Sequence, residues 1–327
     1  MMGGMKQKKL LLLGGLRYLL PVIEAAHKLG YYVITCDYIP GNIAHKYSDE
    51  YHNVSIIDKE AVLALARELE IDGIMSFAVD PGVVTAAYVQ DQMGLPGNPY
   101  ESVKILQNKD RFRRFLSEYG FNVPWAFGFS SVGDTLLKSG EFTYPLIVKP
   151  NFGGGSNGII NNSITYNKSQ TINLIKKLNY YQKMPIIVEE YIPGYEVSFI
   201  IIGNKSKIIF SGESELNIDG KNYFNTEVFG LESKKIDPSR KQYCASSHID
   251  TETQYNMYNL FKSFDKIEFM RIDCRIARDG TIFILELSPD CYIGTNGAFQ
   301  ETLKRAGYNF ADTLKLLIDN SINSQNH

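Results

Sequence analysis

Residues Glu268 to Pro289, EFMRIDCRIARDGTIFILELSP, constrain this chain more than any other stretch. Two runs rich in β-branched and apolar residues flank Asp279-Gly280, a dipeptide that favours a tight two-residue hairpin turn. With that turn, Asp273 falls opposite Glu286, and Arg271 opposite Ser288. Side chains alternate across a sheet, so Arg271, Asp273 and Arg275 share a face with Glu286 and Ser288. Met270, Ile272, Cys274, Phe283, Leu285 and Leu287 then form the core face. Directly opposed carboxylates repel. A divalent cation between them reverses the sign, since Mg²⁺ is commonly held by one or two carboxylates together with substrate phosphates. The alternative at this point is a solvated face whose acids are offset by neighbouring arginines.

The chain before this hairpin changes character once. Lys8 to Gly15 reads as a buried strand, Leu19 to Leu29 as a helix ended by Gly30, and Tyr32 to Asp37 as a strand. Val54 to Ile57 reads as a short strand, Lys59 to Glu70 as a helix and Gly73 to Phe77 as a strand. Such alternation predicts a parallel sheet with crossover helices, whose ligands gather at the strands' carboxyl ends. Gly14-Gly15 lies at such an end, but GGLRYL lacks the G-x-G-x-x-G pattern of a dinucleotide site. From Asn108 the pattern becomes α+β: a charged helix, NKDRFRRFLSEY, then strands at Tyr144 to Lys149 and Pro185 to Glu190. Antiparallel strands follow at Glu196 to Ile202 and Lys207 to Ser211. The expected class is a parallel α/β unit (residues 1–108) followed by an α+β unit with antiparallel strands.

Composition narrows the function classes. A net charge of −2 and a pI near 6.2 give no basis for nucleic-acid or anionic-membrane binding. No apolar run reaches the length of a membrane span. Basic residues precede Leu10 to Leu13, but that run is too short for a secretory leader and reads as a first strand. Cys36, Cys244, Cys274 and Cys291 are widely spaced, which argues against a zinc site or a disulfide framework and fits a cytoplasmic protein.

Four features of the α+β part carry chemistry. Val148-Lys149-Pro150 leads into Asn151-Phe152-Gly153-Gly154-Gly155-Ser156-Asn157-Gly158, where glycines let backbone N–H groups approach phosphate oxygens and the lysine adds a charge. It is not a Walker A loop, and its ordinary reading is a hairpin tip. IVEEYI, Ile187 to Ile192, ends an apolar strand in acids and an aromatic, and Gly194-Tyr195-Glu196 follows; a strand edge suits a flat base, and a carboxylate suits ribose hydroxyls. Lys109 opens its helix, where a solvated lysine is the default. The fourth is the hairpin.

In this order, these residues resemble the ATP-grasp superfamily over nearly the whole chain. SFAVDPG and MGLPGNP are similar to carbamoyl-phosphate-synthase-like and purine-pathway members, and R-I-D with Gly-x-Glu is similar to D-alanine–D-alanine ligase. The resemblance implies an N-terminal pre-ATP-grasp α/β domain (residues 1–108) followed by an ATP-grasp fold of two lobes (109–192 and 193–327) with antiparallel sheets. It implies that Lys109 and Lys149 contact ATP phosphates, under a lid formed by Gly153, Gly154, Gly155, Ser156 and Gly158. Glu189, Glu190, Tyr191 and Ile192 would line the adenine pocket, and Glu196 would hold the ribose. Asp273 and Glu286 would hold Mg²⁺ or Mn²⁺, and Arg271, with Lys149, would serve catalysis. The family's E-x-N ends here in Ser288, a weaker metal ligand, with Asp290 two residues on. The implied activity is ADP-forming ligation of a small carboxylate, through an acyl phosphate, to an amine or similar nucleophile, in a cytoplasmic enzyme that the family pattern allows to be a homodimer. The alternatives are a purine-pathway or carboxylase-type member using bicarbonate or phosphoribosylamine, and a catalytically silent ATP-binding regulatory protein.

Overall fold

A computed structural model describes residues 7–77, 80–129, 142–152, 163–182, 185–227, 237–264, 267–289, 291–294 and 296–323. The first unit is a parallel sheet of β1 (Lys9–Leu13), β2 (Tyr32–Cys36), β3 (Glu50–His52) and β4 (Gly73–Ser76), in the order β3-β2-β1-β4. Leu10 to Leu13 are all fully buried, because both faces of this sheet are covered; hence the unbroken apolar run rather than alternation. Helices α1 (Leu20–Lys28) and α2 (Lys59–Leu69) make crossovers, and α3 (Asp80–Met93) follows β4 and packs against α2. Asp58 caps α2 by accepting from Ala61 N at 3.1 Å. The third strand lies earlier than Val54 to Ile57. Glu50–His52 pairs with β2, fixed by the Tyr51 hydroxyl donating to Asp37 O at 3.0 Å. The apolar residues that follow it instead cover the core with Ile56 and leave Ile57 exposed.

Two short helices, α4 (Tyr100–Leu106) and α5 (Lys109–Glu118), lead to an antiparallel sheet of β5 (Ala126–Phe129), β6 (Leu146–Pro150), β7 (Ile164–Thr165) and β8 (Ile186–Glu190), ordered β5-β8-β6-β7. Leu146, Val148, Ile186 and Val188 face helix α6 (Lys168–Gln182) in one core. The alternate residues, Ile147, Lys149, Ile187 and Glu189, point the other way.

The largest sheet contains β9 (Gly194–Gly203), β10 (Ile208–Ile218), β11 (Tyr223–Phe224), β12 (Lys241–Cys244), β13 (Phe269–Ile276) and β14 (Ile282–Ser288), ordered β12-β10-β9-β13-β14 with β11 on β9. One face packs Phe199, Ile201, Met270 and Ile272 against α5 and helix α7 (Thr251–Ser263). Part of the other face meets helices α8 (Ala298–Arg305) and α9 (Phe310–Asn323), which also close over the parallel sheet.

The β13–β14 hairpin departs from its expected turn and still delivers the expected pairing. Ala277 N donates to Thr281 O at 2.8 Å and Gly280 N to Ala277 O at 3.0 Å, so three residues, Arg278 to Gly280, make the loop. Gly280 takes φ +87°, the left-handed position such a loop needs. The extra loop residue shifts the register by one until a bulge at Leu285 shifts it back, where Ile284 N turns away to Asn122 O at 3.0 Å. Asp273 therefore pairs with Glu286, and Arg271 with Ser288. Between loop and bulge the faces exchange: Ile284 is buried opposite Cys274, and Phe283 lies opposite Arg275. Phe283 and Leu285 are only half-buried, not core.

Candidate active site

Cross-strand pairing arranges one face of the large sheet in three rows. Ser214, Ser198, Asp273 and Glu286 form the middle row across β10, β9, β13 and β14. Gly212, Ile200, Arg271 and Ser288 form the row on one side, and Glu196, Arg275 and Phe283 the row on the other. Ser198, two residues after Glu196 and so on its face, donates through Oγ to Asp273 Oδ1 at 2.7 Å. The Arg271 guanidinium grips the same carboxylate, with Nε 2.9 and 3.0 Å from its two oxygens and Nη2 2.7 Å from Oδ2. Burial opposes the Arg271 charge, but Asp273, Cys291 and Glu286 outweigh it and raise its pKa.

Arg275 is not exposed to a substrate. It is buried, donates to Glu196 Oε2 at 2.8 Å and lies over the rings of Tyr191 and Phe224. Burial pushes the Glu196 carboxyl above its ordinary pKa; Arg275 pulls it back and Asp273 adds to the rise. The Tyr191 hydroxyl donates to Glu227 O at 2.8 Å, Ile192 is buried, and Glu190 is exposed at the end of β8.

The opposing wall comes from the smaller antiparallel sheet and α5. Glu189 is 1% exposed, and its carboxylate lies between two cations: Arg113 Nε at 3.1 Å from Oε1 and Lys149 Nζ at 2.5 Å from Oε2. Burial alone would raise the Glu189 pKa; Arg113, Lys149 and Lys109 outweigh it and hold it below the usual carboxylate range. Lys109 sits one helical turn before Arg113, and both therefore point the same way. Burial lowers the Lys109 pKa, Glu286 counteracts this, and Lys149 and Arg113 add to it. Lys109 is thus the link between the two walls.

Asn151 fastens this wall together. Its carbonyl accepts from Lys109 N and its Oδ1 from Asp110 N, both at 3.0 Å, so the residue after Val148-Lys149-Pro150 secures the start of α5. Asn108 caps the same helix through Arg111 N at 3.0 Å. Gly153, Gly154, Gly155, Ser156, Gly158 and Asp290 lie outside the described residues. Sequence reasoning did not single out Arg113, Asn151 or Ser198. The available signal was spacing: Arg113 is four residues from Lys109, and Ser198 two from Glu196.

The donor set suits magnesium only in company. Among the described residues no three His, Cys, Asp or Glu side chains converge as a metal cluster. Asp273 and Glu286 alone make an incomplete set, which fits Mg²⁺ when phosphate oxygens and water fill the remaining positions. Lys109, whose charge interacts with Glu286, Lys149 and Glu189, connects this pair to the Arg113–Glu189–Lys149 array, a group of cations suited to a polyanion.

The chain is similar in sequence and in fold to known ligases. The family described as D-ala D-ala ligase C-terminus matches residues 132–319. D-alanine--D-alanine ligase A of Bacillus cereus is 23% identical over 292 residues, covering 87% of this chain and 92% of that protein. Carbamoyl phosphate synthase large chains also match, but the chain spans only 18% of their length. Among solved structures, L-amino acid ligase from Bacillus licheniformis superimposes with a TM-score of 0.69 at 20% identity, over 98% of this chain and 75% of that one. N5-Carboxyaminoimidazole synthetase from Staphylococcus aureus, complexed with ADP, gives 0.71 at 17% identity, over 97% and 78%.

Proposed function

Because the chain belongs to the D-ala D-ala ligase C-terminus family of the ATP-grasp ligases, we propose that it joins a small carboxylate to an amine, with ATP converted to ADP and phosphate. The observation that carries this reading is the paired Asp273 and Glu286 carboxylates together with Lys109, whose charge interacts with both Glu286 and Lys149. The substrate carboxylate oxygen attacks the γ-phosphorus in line, the bond to the β,γ-bridging oxygen breaks, and an acyl phosphate forms. Lys109 and Lys149 lower the cost of charge moving onto ADP. A bound Mg²⁺ held by Asp273 and Glu286 would supply further charge neutralisation and orient the phosphates. The amine then attacks the acyl carbon; Arg271 offers fixed positive charge to the oxyanion, and phosphate leaves. In this reading Glu196 accepts hydrogen bonds from the ribose hydroxyls, Tyr191 and Ile192 border the base, and Ser288 assists Glu286.

No covalent protein nucleophile enters this scheme. The likeness to N5-carboxyaminoimidazole synthetase gives a second reading, with bicarbonate as the acid. Both are tested by ADP release from Mg·ATP across a panel of amino acids, other small carboxylic acids and bicarbonate, each with and without amines. Substrate-stimulated ADP release requiring an acid and an amine supports ligation, and stimulation by bicarbonate favours the second reading. Tight Mg·ATP binding with no stimulated release by any pair would overturn both.

A further inference from the structure

The Arg113–Glu189–Lys149 array is built more heavily than a phosphate-binding lysine needs. A lysine beside a single carboxylate in a buried site forms a closed neutral pair, with little charge left for a ligand. Here the carboxylate is divided. One oxygen is held by Arg113, with Nε at 3.1 Å and Nη2 at 3.0 Å, and the other by Lys149 at 2.5 Å. Arg113 is 4% exposed and Glu189 1%, so water does not dilute the competition. Among the described residues neither Nη1 nor Nη2 of Arg113 makes a hydrogen bond, so Nε supplies its one hydrogen bond to Glu189 and Nη2 stands at ion-pair distance from the same oxygen.

We propose that Arg113 is a positioning residue for the nucleotide site: it occupies half of the Glu189 carboxylate so that the Lys149 ammonium keeps charge available for the phosphates. This rests on the nucleotide reading given above and adds to it a residue that does not itself touch the ligand. Lys149 and Glu189 lie on neighbouring strands β6 and β8, whereas Arg113 comes from α5, so the division of charge also ties the helix carrying Lys109 to the sheet carrying Lys149. Removing Arg113 leaves Lys149 as the cation in contact with Glu189, with Lys109 acting on it only through the electrostatic interaction. Removing both the Arg113 and the Glu189 charges leaves Lys149 unopposed.

The test compares Mg·ADP affinity by titration calorimetry in the parent, Arg113→Met, Arg113→Lys, and the double variant Arg113→Met/Glu189→Gln, with thermal melts of each. Arg113→Met should weaken binding about tenfold or more, the scale of one charge-assisted contact. Arg113→Lys should recover most of that loss because its charge still competes for Glu189. The double variant should bind better than Arg113→Met despite carrying one more substitution, an outcome that loss of packing alone does not produce. The double variant removes one charge of each sign and leaves the net charge of the array unchanged, and Arg113→Lys keeps all three charges, so the comparison survives if Arg113→Met alone fails to fold: the double variant should then bind about as tightly as Arg113→Lys. A double variant binding no better than Arg113→Met, or far more weakly than Arg113→Lys, overturns the proposal while leaving the nucleotide reading intact. Absence of Mg·ADP and Mg·ATP binding by the parent overturns the nucleotide reading itself, and this proposal with it.

Discussion

Replacing Glu268 by glutamine should change how the stability of this protein depends on pH. Glu268 immediately precedes β13, is 5% exposed, and has one carboxylate oxygen with no hydrogen-bond partner among the described residues; the other accepts from Ser321 of α9. Burial pushes its pKa from 4.5 up to about 7, only partly opposed by the Ser321 hydrogen bond. The folded state therefore holds this proton more tightly than the unfolded state, and the unfolded state loses it first as pH rises. Stability from this group is full below about pH 4.5 and falls as pH climbs through the folded pKa near 7. A shift from 4.5 to about 7 corresponds to about 3 kcal/mol at roughly 1.4 kcal/mol per unit. Glutamine carries no charge at any pH and keeps an acceptor for Ser321, but buries an unpartnered amide at a pH-independent cost of about 1–3 kcal/mol. The parent should thus be the more stable form near pH 5, and its advantage should shrink by about 3 kcal/mol by pH 8. Urea unfolding of both proteins at pH 5, 6, 7 and 8 measures the difference. A parent–variant difference that stays constant across the series would refute the argument.

Three further outcomes follow from the geometry. Mg·ATP should raise the melting temperature of the parent, by about 2.7 kcal/mol of stabilisation at a hundredfold excess over Kd, and Asp273→Asn or Glu286→Gln should reduce the magnesium-dependent part in a melting series. Gly194→Ala should destabilise the protein by about 1–3 kcal/mol in urea unfolding, because its Cβ would stand 2.4 Å from Ile276 O, a backbone atom of the neighbouring strand. Asn151→Ala should cost about 1 kcal/mol through the lost bond from Asp110 N, and it should weaken ATP more than either other substrate in steady-state kinetics.

The sequence made the chemistry of the hairpin legible, though not its construction. Asp279-Gly280 suggested a two-residue turn; the loop has three, and the error cancels only because Leu285 bulges. Nothing local marks that bulge, and the partner beside it, Asn122, which accepts from Ile284 N, is distant in sequence. Strong apolar periodicity located β1, β2, β4, β6, β8 and the helices α1, α2 and α5. Helix α7 escaped notice because Met257, Leu260 and Phe261 are its buried positions amid polar neighbours. Glu189 was read as one of two acids at a strand end, which their adjacency allows. Alternation sends Glu190 outward and Glu189 into the ion pairs, and which way each faces depends on where Arg113 comes to lie.

The core shared by the parallel sheet and α8–α9 sets a timetable. Leu10, Leu12 and Val33 belong to the same cluster as Phe299, Leu314, Leu317 and Ile318. Translation at about 5–20 residues per second separates Phe77 from Ala298 by about 10–40 s. For that interval the nascent sheet has one apolar face without its final cover, a surface on which chaperones act. A ribosome-stalled chain halted before Ala298 should be cut by protease within β1 to β4, and one extended past Asn323 and clear of the exit tunnel should resist.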